Sequence, residues 1–246
     1  MITSIQNTKV KQWSKMKKKK ERTETGMFLV EGFHLVQEAV QSEWTVEEII
    51  VQDGVEIPNW ARVYQIHDVT DNVFQHIADT KTPQGIAAVV HQRQANQLNG
   101  NKLLLMDAVQ DPGNLGTIIR TADAAGFDGI VLGEGTVDLF NDKVVRATQG
   151  SIFHVPIVQQ DLPTKIKELQ EAGYQVWAST LEESVTYTEL QPPKRIALIV
   201  GNEGAGISST IVELADEKVR IPIYGQAESL NVSVATGVLL YYLATR

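Results

Sequence analysis

The stretch KLLLMDAVQDPGNLGTIIRTADAAGFDGIVL, residues 102–132, reads as strand, turn, helix and strand. Its two apolar runs, residues 103–106 and 129–132, are short and do not alternate with polar residues. That pattern belongs to strands buried on both faces. Between them Asp111-Pro112-Gly113 makes a turn, and Asn114 is placed to cap a helix over residues 115–125. Leu115, Ile118, Ile119 and Ala122 share a face of that helix and supply its buried stripe. The unit predicts a mostly parallel sheet with helices on both faces.

The rest of the C-terminal half repeats the theme. Further short apolar strands are expected over residues 154–158, 175–178, 196–200 and 218–221. Ligands of such a sheet bind beyond the C-terminal ends of its strands. Upstream, residues 3–20 read as a helix with Ile5, Val10, Trp13 and Met16 at helical spacing. MFLVEG, VEEIIVQ, VYQIHD and GIAAVVH read as strands, with helices over FHLVQEAVQS and DVTDNVFQHIAD, the latter capped by Asp68 or Thr70. This is a second, smaller α/β unit. The expected division is a domain over 1–92, a polar linker over 93–101 and a second domain over 102–246.

Composition narrows the chemistry. The 246 residues include no cysteine, which excludes disulfides, thiolate metal sites and Cys nucleophiles. His34, His67, His76, His91 and His154 lack metal-ligand spacing, so no metal is expected. No apolar run approaches a membrane span and the first residues lack a secretory apolar core, so a cytoplasmic protein is expected. The net charge of −8 is unevenly spread. Between Lys9 and Arg22 lie seven Lys and one Arg against the single acid Glu21. A basic arm on an acidic body suggests a polyanionic partner, and a solubilising helix face explains the charge equally well.

Three motifs carry hydrogen-bonding and charged groups to the expected strand ends. In the first, Arg120 lies off the apolar stripe near the expected helix start, where a cation opposes the helix dipole unless it faces an anion. In the second, IALIVGNEGAGIS, a strand runs into a loop with Gly201, Gly204 and Gly206 that holds Glu203. The loop lacks the Lys and Ser/Thr of a triphosphate cradle, and a carboxylate there suits a cationic or neutral ligand. In the third, IPIYGQAESLNVSVATG, Ser229 or Asn231 is placed to cap a last helix whose apolar run, residues 232–243, is expected to be mostly buried.

In this order and spacing the three motifs resemble those of the SpoU (TrmH-like) branch of the SPOUT RNA methyltransferases. FLVEGFHLVQEAV and TKTPQGIAAVV resemble that family's ribosomal-protein-like substrate-binding domain. The resemblance implies a SPOUT domain with a C-terminal trefoil knot, a rare exception to unknotted chains. It implies S-adenosyl-L-methionine as cofactor, held by Thr180, Gly201, Ile221 and Leu230, and a catalytic cluster of Asn114, Arg120, Glu203, Ser229 and Asn231. It also implies a homodimer that methylates a ribose 2′-hydroxyl of structured RNA, rRNA ahead of tRNA. Lys17, Lys18, Lys19, Lys20 and Arg22 then become the expected RNA contacts. The alternative is a catalytically silent RNA-binding or ribosome-assembly protein with the same fold.

Overall fold

The computed structural model describes residues 1–93, 95 and 97–244. Gln94 and Asn96 of the expected linker lie outside the described residues. The described chain divides into two compact units, Met1–Arg93 with Asp138–His154, and Gln94–Val137 with Val155–Arg246. The expected division places residues 138–154 in the second unit. Their inclusion in the first is visible in the ring contacts of Phe28 with Phe140 and of Trp44 with Phe153, at 4.9 and 5.3 Å between centroids.

The first unit begins with α1 (Thr8–Lys15) and α2 (Lys19–Thr25). Then come β1 (Met27–Glu31), α3 (Phe33–Gln41), β2 (Val46–Gln52), β3 (Ile66–Val69), α4 (Asp71–Ile77) and β4 (Ile86–His91). Its sheet has the order β1-β4-β2-β3, with only β2 and β3 parallel. The single helix expected over residues 3–20 is in fact two. Asn7 caps the first by accepting from the Lys9 N–H, which leaves Ile5 outside it and exposed. Gly26, at φ +66°, closes the second. Val10, Trp13 and Met16 are buried against Val73, Phe74 and Ile77 of α4, so this basic segment is part of a core and not a loose arm.

The remaining elements are β5 (Lys102–Met106), α5 (Pro112–Ala124), β6 (Gly129–Leu132), α6 (Asp142–Thr148), β7 (Ile157–Gln159), α7 (Leu162–Glu171), β8 (Gln175–Ser179), β9 (Val185–Thr186), β10 (Ile196–Val200), α8 (Ser209–Val212), β11 (Glu217–Arg220) and α9 (Val232–Ala244). The second unit's sheet has the order β7-β6-β5-β10-β8-β11-β9 and every pair in it is parallel. One face packs Leu103, Leu105, Ala197 and Ile199 against Leu162, Ile166 and Leu169 of α7. The strand expected over 154–158 begins only at Ile157, because residues 151–153 turn in a 3-10 helix.

Two helices depart from expectation in ways that matter for the site. α5 starts at Pro112, and Asp111 is its cap, accepting from the Asn114 N–H at 2.8 Å. Asn114 is thus inside the first turn with its side chain free for other work. Arg120 is then in the third turn, beyond the first turn where the helix dipole acts against a cation, so the dipole argument for an anion lapses. α9 buries Thr236, Leu239, Leu240 and Leu243 but exposes Val234, Val238 and Tyr241. Its apolar run therefore serves two faces.

Candidate functional site

The loops after β8, β10 and β11 border a cavity of about 720 Å³ in the second unit. This falls within the roughly 300–1,000 Å³ of small-molecule sites. It lies beyond the C-terminal ends of parallel strands, as expected of such a sheet. Thr180, Gly201, Ile221 and Leu230 all line it, as do Glu203 and Ser229. Asn114, Arg120 and Asn231 do not.

The glycine-rich loop owes its composition to its own packing. Asn202 and Gly206 exchange backbone hydrogen bonds at 2.9 and 3.0 Å, closing a tight hairpin. A Cβ on Gly201 would sit 2.2 Å from the Gly206 carbonyl carbon, and Gly206 has φ +72°. Both positions thus require glycine for the turn itself. The Asn202 side chain accepts from the Gly204 and Ala205 N–H groups and donates to the Ala108 carbonyl at 2.8 Å. The loop is a rigid bracket that points Glu203 outward.

Glu203 reaches the start of α5. Its carboxylate accepts from the Gln110 and Asp111 N–H groups at 3.1 and 2.9 Å and from the Asn114 amide at 3.1 Å. Partial burial acts to raise its pKa, but these donors outweigh it and hold the carboxyl below the ordinary glutamate range. The carboxylate can only accept, so the Asn114 amide nitrogen must face it. The Asn114 carbonyl then accepts from the Asn231 amide at 3.1 Å. That leaves the Asn231 carbonyl facing the start of α9, where it accepts from the Ser233 N–H at 3.0 Å and the Ser233 hydroxyl at 2.6 Å. Every amide orientation in this chain is fixed by its neighbour.

Asn231, not Ser229, is therefore the cap of α9. Ser229 is exposed at the cavity. Arg120 is exposed on α5, and no hydrogen bond or ion pair to its side chain occurs among the described residues. The structure thus gathers Glu203, Asn114 and Asn231 into one bonded string and lines the cavity with Ser229. It leaves Arg120 outside both groups. Asp111 and Asn202, which hold the string in place, were missed by sequence reasoning as site residues. The turn Asp111-Pro112-Gly113, with an acid just before a helix-starting proline, is the signal that marks Asp111.

The expected RNA contacts divide. Arg22 is 5% exposed, donates to the Met16 and Lys17 carbonyls at 2.7 and 2.9 Å, and pairs with Asp138. It is a buried brace, not an exposed RNA contact. Lys17 donates to the Ala78 carbonyl at 2.8 Å and pairs with Asp79 at 3.2 Å. Lys18, Lys19 and Lys20 are exposed. Among the described residues, no group of three or more His, Cys, Asp or Glu could hold a metal ion.

The cavity's donor set fits a cationic cofactor with an apolar portion. Val200, Ile221 and Leu230 offer apolar wall, while Glu182, Glu183, Glu203 and Glu213 outnumber Lys218 and Arg220. A polyphosphate would be repelled there, whereas a sulfonium and an ammonium would be welcome.

Comparison with known proteins places the chain in a family. Residues 101–241 match the SpoU rRNA Methylase family, and residues 7–88 match the MRM3-like substrate binding domain. The chain is 49% identical to the 23S rRNA (guanosine(2553)-2'-O)-methyltransferase RlmP of Bacillus subtilis (strain 168), covering 98% of each chain. Among solved structures it is similar to an AdoMet-bound rRNA methyltransferase from Sinorhizobium meliloti, with TM-score 0.90 and 35% identity over 99% of this chain and 97% of that one. It is also similar to the SpoU methyltransferase AviRb from Streptomyces viridochromogenes in complex with AdoMet, with TM-score 0.87 and 26% identity over 98% of each. With the second and third motif loops at one cavity, the first joined to it through Asn114 and Glu203, and matches that run nearly end to end, the chain belongs to the SpoU rRNA methylase family.

Proposed function

We propose that this protein is an S-adenosyl-L-methionine-dependent methyltransferase acting on a ribose 2′-hydroxyl of 23S rRNA. The observation that carries the reading is the acidic, partly apolar cavity joined at Glu203 to the Asn114–Asn231 string, in a chain nearly half identical to RlmP along its whole length. That relative's name specifies guanosine 2553 of 23S rRNA, and the equivalent guanosine is the proposed target here.

Thr180, Gly201, Ile221 and Leu230 would hold the cofactor, which supplies an electrophilic methyl on a sulfonium. The chain's own work is to bring a ribose hydroxyl in line with that methyl and to lower the cost of losing its proton. Glu203 is a poor candidate base, since three donors occupy it and its pKa is depressed. It positions Asn114. A guanidinium offers only donors, so Arg120 serves as a clamp for a substrate phosphate, not as a base. Ser229 is an exposed hydroxyl at the cavity and the proposed proton relay.

The proposed domain roles are RNA binding by residues 1–92, connection by 93–101 and methyl transfer by 102–246. A trefoil knot formed by the three cavity loops, a homodimer and a cytoplasmic location belong to the same reading. The dimer is supported by the exposed stripe Val234, Val238 and Tyr241 on α9. Among the described residues no helix is long and apolar enough to cross a membrane. The test is to map ribose methylation across 23S rRNA from a deletion strain and its parent. One lost methylation at the equivalent guanosine, restored by the wild-type gene and not by Asn114→Ala, is expected. An unchanged rRNA methylation map would overturn the reading.

A further inference from the structure

The basic segment between Lys9 and Arg22 performs two different jobs, and its cations sort cleanly between them. Lys9 pairs with the buried Glu48, Lys17 with Asp79, and Arg22 with Asp138. These three cations are spent on holding α1 and α2 to the first unit. Lys20 sits 3.8 Å from Glu24, one helical turn away. Lys11, Lys15, Lys18 and Lys19 remain. All four are exposed, and no hydrogen bond or ion pair involves their side chains among the described residues.

Their arrangement follows from the packing. Val10 and Trp13 turn the opposite side of α1 into the core, so Thr8, Lys11, Gln12 and Lys15 form its solvent face. Lys11 and Lys15 are four residues apart and rise about 6 Å along that face. Lys17, anchored to the carbonyls of His76 and Ala78, fixes the turn that follows, and Lys18 and Lys19 continue from it. We infer that Lys11, Lys15, Lys18 and Lys19 form a track for the RNA phosphate backbone, with Lys9, Lys17 and Arg22 as its foundation. Four unpaired cations of one sign, on a chain of net charge −8, fit a polyanion. No aromatic side chain interrupts the track, since Trp13 is buried, so it reads charge and spacing and not base identity.

This inference rests on the proposed RNA substrate but has its own readout. The affinity of the full-length protein for unmodified 23S rRNA is measured from low to high salt. One variant carries Lys11→Gln, Lys15→Gln, Lys18→Gln and Lys19→Gln. A second removes the same number of charges elsewhere, at Lys143, Lys165, Lys167 and Lys194. The track variant is expected to lose about three from the slope of log affinity against log salt, at roughly 0.7 per phosphate contact. Its affinity for S-adenosyl-L-methionine is expected to stay unchanged, and the second variant is expected to keep the wild-type slope. An unaltered slope in the track variant, or equal losses in both, would overturn the track. An unaltered slope with lost ribosomal protein binding would assign the face to a protein. Methyl transfer by the wild type, measured alongside, judges the proposed reaction separately.

Discussion

Glu203 shows how the partners of a side chain, and not its residue type, set its role. A carboxylate at a reaction site suggests a base, but here both oxygens are engaged and its pKa is held down by the Asp111 and Gln110 N–H groups and the Asn114 amide, against the opposing effect of burial. Because the folded pKa lies below the ordinary value of about 4.3, Glu203 stabilises the fold fully above that pH, and the benefit fades as pH falls through the folded pKa. Glu203→Gln keeps the shape but introduces an amide donor beside three donors. We expect turnover to fall by about a hundredfold, the usual scale for a misplaced reacting group. The cofactor Kd should change far less, and the melting temperatures of wild type and variant should converge as pH falls through the folded pKa of Glu203. Single-turnover methylation and thermal melts across pH check this. A variant with normal turnover would remove Glu203 from positioning altogether.

At the scale of elements, the position of a helix start decides what its side chains can do. The sequence offers Asn114 as a cap, but Asp111 occupies that place and the helix begins at Pro112. Moving the start by three residues releases the Asn114 amide for Glu203 and Asn231 and shifts Arg120 from the first turns to the third. The N-terminal segment teaches the same lesson. Its charge pattern was legible, but whether a given cation faces solvent depends on where the helix breaks. Arg22 follows a break at residues 16–18 and turns inward to Asp138. Arg22→Gln is expected to destabilise the protein by about 3 kcal/mol, since it leaves a largely buried carboxylate without its partner. Denaturant melts measure the loss, and the salt slope of RNA binding should not move.

For the molecule as a whole, α9 marks the limit of a single chain. Residues 232–243 are almost uniformly apolar, yet only one side finds a core in this chain. Val234, Val238 and Tyr241 follow one another at spacings of four and three, a stripe suited to a second copy. Val238→Asp is expected to convert a dimer to a monomer in sedimentation, with methyl transfer falling and secondary structure intact. A wild-type protein that sediments as a monomer at micromolar concentration would end the dimer proposal.

The sequence by itself determined the parallel sheet and the second smaller unit, while the loops that meet at the cavity were implied by the family resemblance of its motifs. Apolar runs such as residues 103–106 and 196–200 admit one arrangement, and glycine at positions 201 and 206 is demanded by local backbone geometry. These are short-range constraints, and they survive without knowledge of the fold. Only the tertiary structure decided that Glu203 positions Asn114, that Asn231 and not Ser229 caps α9, that Arg22 is a brace, and that residues 138–154 join the first unit. Most of these depend on partners far away in sequence, 89 residues for Asn114 and Glu203 and 116 for Arg22 and Asp138, and even the local cap at Asn231 is oriented by Asn114, 117 residues away. A polar side chain's role is set by the group it meets, and that meeting is fixed by packing, not by its neighbours along the chain.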